Sequence, residues 1–171
     1  VLAPRVDGEV ARLDDPTPLR GVAEVEIGKL TDFVVEYAAD FEGGGAGFDA
    51  IRIRTGGTPM FKGLEMGAQA VEPTAVVEQA GELVVQLPRR VNPGNNEPIR
   101  VAFAAEVYDF AWAFDSEVID SGAESLPQPV LSADVDEGIG INTLRVLAAS
   151  SQAEKIRDVR LASGVVTPNG D

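Results

Sequence analysis

The chain has 171 residues, 44% of them apolar, enough for a single core that buries roughly 70% of the unfolded surface. Its formal charge of -14, from 28 acidic against 14 basic side chains, argues against nucleic acid and anionic membranes as partners, because phosphate is repelled within a Debye length of about 8 Å. Histidine and cysteine are both absent, which removes imidazole bases and ligands, histidine-dependent triads, thiol nucleophiles and disulfides. Divalent cations and basic partners stay compatible with the charge, whose plainest role is solubility.

Residues 1–20 mix charges with Pro4, Pro16 and Pro18 without clear periodicity, and read as an extended arm or linker. At 22–27, Ala23, Val25 and Ile27 alternate with Glu24 and Glu26, the pattern of a strand with one wet, acidic face. Phe33, Val35 and Tyr37 continue it within 30–41, so the two segments are expected to be neighbours across Gly28 and Lys29. The cluster Gly43, Gly44, Gly45 and Gly47 suits left-handed turns. A phosphate-cradling loop would need a lysine and a following helix, and neither is present.

Ile51 and Ile53 face inward from a short strand at 50–54, with Arg52 and Arg54 facing outward. Two short strands are expected over 60–68 and 71–78, although 74–79 also reads as a turn of helix. Leu83, Val85 and Leu87 mark a clearer strand at 82–87, and NPGNNEP at 92–98 is a loop.

The longest apolar run, 98–120, holds the only tryptophan. Ile99, Val101, Phe103, Ala105 and Val107 occupy odd positions, whereas Phe110, Trp112 and Phe114 occupy even ones. The register must therefore break near Asp109, by a bulge or a corner, if both sets are to pack inside. Beyond it, 121–129 is a loop and 130–141 an acidic, glycine-punctuated passage. Leu144, Val146 and Ala148 share a side, 150–155 reads as a turn of helix, and 156–162 closes with Val159 and Leu161. About nine or ten strands at spacings of about 8 to 12 residues describe an all-β, two-sheet antiparallel β-sandwich, immunoglobulin-like or jelly-roll-like. Its expected extent is 21–164, with 165–171 opening a linker to a following domain.

No serine stands in a G-x-S-x-G setting, so an α/β-hydrolase site fails. A glycosidase would need two facing carboxylates about 5 to 9.5 Å apart, and nothing distinguishes any pair among the 28 acids. Asp134, Asp136, Glu137 and Gly138 alternate as calcium ligands do but lack the remaining positions of a calcium loop. They read as a solvated acidic turn, as do Asp14 and Asp15. No catalytic, cofactor or metal residue is assigned. Trp112, Tyr108 and Tyr37 are the aromatic candidates for stacking on a sugar ring. Trp112 shares a side with Phe110 and Phe114 and reads as core, leaving Tyr108 as the exposed aromatic.

The last residues, Val165-Val166-Thr167-Pro168-Asn169-Gly170-Asp171, resemble the opening of the C-terminal immunoglobulin-like modules of exported bacterial proteins, the FlgD-like and gliding-motility-associated types. GFDAIRIRT at 47–55, IRVAFAAEVYDFAWAFDSEVIDS at 99–121 and LPQPV at 126–130 are similar to the β-rich module that precedes such domains in surface proteins. The resemblance implies a place at the cell surface, in the periplasm or outside the cell, and carries over no functional residue. The function expected is a non-catalytic structural, adhesive or interaction module, whose partners are other domains of its chain or another surface protein. The alternative is a carbohydrate-binding module, whose partner would be a glycan, or a cohesin-like binding module, and a glycan-cleaving enzyme comes third.

Overall fold

A computed structural model describes residues 1–14, 23–132 and 144–150. Within them the chain is all β, with fourteen strands and no helix. One six-stranded sheet runs in the order β13 (Leu131–Ser132), β1 (Arg5–Arg12), β3 (Thr31–Asp40), β9 (Ile99–Ala105), β5 (Met60–Met66), β6 (Gln69–Val71). A five-stranded sheet runs β12 (Gln128–Pro129), β11 (Ser116–Ile119), β4 (Phe48–Arg54), β8 (Glu82–Val91), β7 (Ala75–Gln79). A smaller three-stranded sheet is formed by β10 (Ala111–Ala113), β14 (Arg145–Ala149) and β2 (Ala23–Glu26).

The alternating positions read from sequence supply the core. Phe33 and Phe103 are cross-strand partners on β3 and β9, and both meet Phe114, which follows β10, at centroid distances of 4.9 and 5.4 Å. Ile51, Ile53, Leu83 and Val85 contribute from the five-stranded sheet and are fully buried. Each such side chain stabilises the fold by roughly 1.5–3 kcal/mol relative to exposure. A buried polar link also joins the two larger sheets, because the Tyr37 hydroxyl on β3 lies 2.9 Å from Ser116 Oγ on β11. Ser116 donates its own proton to the Phe114 carbonyl, so the Tyr37 hydroxyl is the donor to Ser116.

Five expectations are corrected. The strands at 22–27 and 30–41 are not paired neighbours, because β2 pairs with β14 while β3 lies between β1 and β9 in the six-stranded sheet. Residues 5–12 are a core strand rather than an arm: β1 pairs with β3 along its whole length and buries Val6 and Val10. Its period is hidden by Gly8, where a β-carbon would come within 2.8 Å of Val130 Cγ1 and 3.0 Å of Leu144 Cδ2. The inward face needs glycine there because neighbouring side chains fill the space. Residues 74–79 form no helical turn: Val76 and Val77 lie in β7, a hairpin with β8 whose turn uses Gly81 at φ 90°. The expected all-β sandwich class holds, but with fourteen strands among the described residues in place of nine or ten, a small third sheet beside the two larger ones, and parallel β1–β13 and β14–β2 pairs.

The aromatic trio is not packed together. Phe114 is buried and Trp112 half-buried, but Phe110 is 73% exposed. The break comes where expected, because β9 ends at Ala105 and residues 106–110 carry the chain to β10. That crossing leaves Phe110 outside. Readings that fall on Asp15, 134–138, 151–162 and 165–171 lie outside the described residues. Among the described residues no helix is long and apolar enough to cross a membrane.

Candidate functional site

The loops that leave β4 and β9 meet at one end of the sandwich. Val107 turns inward and is 1% exposed, and its carbonyl accepts from Gly28 N at 2.8 Å. Tyr108 therefore points outward, as the alternation predicts, and is 55% exposed. Its ring lies against Gly56 and Gly57: ideal β-carbons there would sit 3.8 Å from Cδ2 and 3.5 Å from Cε2. That floor is itself fixed. The Gly57 carbonyl accepts from Thr55 Oγ1 at 2.8 Å and from Gly81 N at 3.1 Å, while Thr55 N donates to the Gly81 carbonyl at 2.9 Å.

The phenol is held as well, since the Tyr108 hydroxyl donates to the Glu106 carboxylate. This hydrogen bond, aided by partial desolvation and the carboxylate's charge, raises the Tyr108 pKa above the usual tyrosine value. The outcome is an aromatic ring held at its hydroxyl and along one side, yet open to solvent. Asp109 and Phe110 follow it in the same loop, both exposed.

The other candidates serve the fold. Tyr37 is buried, and that burial pushes its pKa up despite the hydrogen bond to Ser116. Trp112 packs against the core, and its Nε1 is buried without a hydrogen-bond partner among the described residues. Gly43, Gly44, Gly45 and Gly47 all take positive φ. Two amides of this loop are occupied by the N-terminal segment, with Gly47 N donating to the Leu2 carbonyl at 2.7 Å and Ala46 N to that of Val1 at 3.3 Å. The cluster is therefore a cradle for the protein's own backbone.

Two side chains that sequence reasoning passed over complete this second end. Gln128 accepts from Leu2 N and Ala3 N at 3.0 and 3.2 Å, and donates to the Ala3 carbonyl at 2.6 Å. Arg90 reaches the carbonyls of Ala46 and Gly47 and both carboxylate oxygens of Asp120. Only the glycine run and the LPQPV segment marked this end in sequence, since polar side chains with distant partners leave no periodic signal.

Asp14 borders an open cleft of about 750 Å³ between β1, β2 and β3. Its side chain is bound by Arg12, whose hydrogen bond holds the carboxyl below its usual range. Arg89 and Arg90 do the same to Glu97 and Asp120. A general acid needs the opposite shift. Among the described residues, no group of three or more acidic side chains is arranged to hold a metal ion.

No family profile matches the chain, and no curated protein matches it. Solved structures similar to it include a 35 kDa C-terminal fragment of the major pilin GBS80 of Streptococcus agalactiae, at 11% identity and a TM-score of 0.47, covering 76% of this chain and 54% of that one. A DUF4466 family protein from Parabacteroides merdae aligns at 11% identity and a TM-score of 0.38, over 75% and 46% of the two chains. An M1 zinc metallopeptidase from Deinococcus radiodurans aligns at 14% identity and a TM-score of 0.37, over 72% and 28%. The chain thus spans about half the length of the first two and less than a third of the last. These distant likenesses assign no activity.

Proposed function

We propose that this chain is a non-catalytic structural, adhesive or interaction module of a multidomain exported bacterial cell-surface protein. The observation that carries the reading is where three of its buried or part-buried polar side chains reach. Gln128 ties residues 125 and 126 positions away, Tyr37 binds Ser116 across 79 and Arg90 binds Asp120 across 30. Each is engaged in joining distant segments, which is the chemistry of holding a shape. The resemblance of residues 165–171 to the start of an exported immunoglobulin-like module supports the compartment.

Antibody raised against the module is expected to label intact bacterial cells, and protease added outside is expected to remove the signal. Labelling that appears only after permeabilisation would overturn the surface assignment. A carbohydrate-binding module is the second reading, favoured by the fixed and exposed Tyr108 ring.

A further inference from the structure

We propose that the loop end of the sandwich is a binding site for a neutral sugar ring, with Tyr108 as its stacking platform and the Glu106 and Asp109 carboxylates as acceptors for sugar hydroxyls. This rests on the second reading above, of the chain as a carbohydrate-binding module, and names its site and ligand class.

Tyr108 is restrained where an exposed tyrosine is ordinarily free. Its side lies on Gly56 and Gly57, its hydroxyl is bonded to Glu106, and the Gly57 carbonyl beneath it takes two hydrogen bonds. A ring already fixed loses little rotamer freedom when a ligand settles on it, which is how preorganisation strengthens binding. The C–H face of a pyranose matches an aromatic face, and its hydroxyls match carboxylate oxygens, which only accept hydrogen bonds. Glu106 already stands at the platform's edge, and Asp109, next along the loop from Tyr108, is exposed. Phe110, 73% exposed and two residues on, enlarges the apolar area of the same loop. The two carboxylates and the overall charge of -14 repel uronic, sialic and sulfated sugars, leaving neutral ones as the class that fits.

The test is a glycan array carrying neutral, amino and anionic saccharides, probed with the 171-residue chain and followed by calorimetric titration of the hits. Neutral oligosaccharides are expected to be retained. Tyr108→Ala is expected to weaken them about tenfold, whereas Tyr108→Phe keeps the ring and most of the affinity. Phe110→Ala is expected to weaken them less, and Glu106→Gln to cost affinity without a change in melting temperature. Melting curves that match the parent show that the variants are folded. No retained neutral glycan, binding indifferent to Tyr108→Ala, or a preference for anionic sugars would each overturn the site. So would binding of a lysine-rich peptide lost in Glu106→Gln but kept in Tyr108→Ala. Sugar binding by a protein confined to the cytoplasm would leave this site standing and sink the surface assignment, and surface labelling without sugar binding would do the reverse.

Discussion

The two ends of β4, about 20 Å apart for a seven-residue strand, use glycine for opposite purposes. Where the strand begins, Gly45 and Gly47 take φ of 141° and 82°, and backbone packs where side chains would stand. A β-carbon on Gly47 would lie 2.3 Å from the Val91 carbonyl oxygen, and one on Gly45 2.7 Å from that of Leu2. Arg90, Asp120 and Gln128 then bind the converging segments to each other. Where the strand finishes, Gly56 and Gly57 have no such φ and make a floor under an aromatic ring that faces water. One end turns its polar groups on itself and closes. The other leaves an aromatic ring and Asp109 exposed to solvent, which is the difference between a structural seam and a surface able to meet a partner.

That contrast can be broken by substitution. The largest effect is expected from Phe114→Ala, which empties a site shared with Phe33 and Phe103 and should cost about 3–5 kcal/mol. Phe110→Ala, at the open end, should stay within about 0.5 kcal/mol; urea denaturation of the two variants measures both. Equal losses would mean that Phe110 is packed after all. Next comes Gly47→Ala, expected to lose about 3 kcal/mol through left-handed strain and collision with Val91. Gly57→Ala, whose β-carbon would make ordinary contact at 3.5 Å, should change stability by less than about 1 kcal/mol.

Smaller effects sharpen the comparison between the two tyrosines. Tyr37→Phe removes the donor to Ser116 and should cost about 1 kcal/mol, whereas Tyr108→Phe should be neutral for stability. Tyr37 has a raised pKa in the folded state, so its contribution is fully present below pH about 10 and is lost as the pH climbs above that value. Absorbance titration should find Tyr108, also raised but solvent-facing, ionising in the folded protein. Tyr37 should ionise only with unfolding, and Tyr37→Phe should flatten that alkaline limb.

At acid pH the sign reverses. Asp120 and Glu97 are held down by Arg90 and Arg89, so their stabilisation is present above the ordinary carboxylate value near pH 4 and fades as the pH falls through their depressed folded values. Asp120→Asn should make the acid limb of a melting-temperature profile shallower. An unchanged limb would remove Asp120 from the account of the closed end.

Periodicity carried much of the fold. Ile99, Val101, Phe103, Ala105 and Val107 are all buried as their spacing requires, and so are Phe33, Val35 and Tyr37, Ile51 and Ile53, and Leu83, Val85 and Leu87. Each is a local pattern with period two, legible without knowing what lies opposite. β1 was illegible because Gly8 interrupts its apolar face, and at β7 a strand and a helical turn were both legible, because a five-residue segment satisfies more than one local pattern. Phe110 was misplaced because alternation continues on paper through a loop that in space changes direction. For the site, sequence singled out Tyr108 as exposed but not the floor beneath it, since nothing local ties residues 56–57 to residue 108.

By itself, the sequence determined an acidic all-β chain without imidazole or thiol chemistry, and the side of each regular strand that seeks the core, because hydrophobic burial acts on each alternating segment wherever it pairs. Only the tertiary structure decided which segments meet. Gln128 reaches residues 2 and 3, Arg90 clasps Asp120, and Tyr108 rests on Gly56 and Gly57, because hydrogen bonds and van der Waals contacts depend on three-dimensional distance, and that distance is set by the whole chain's path.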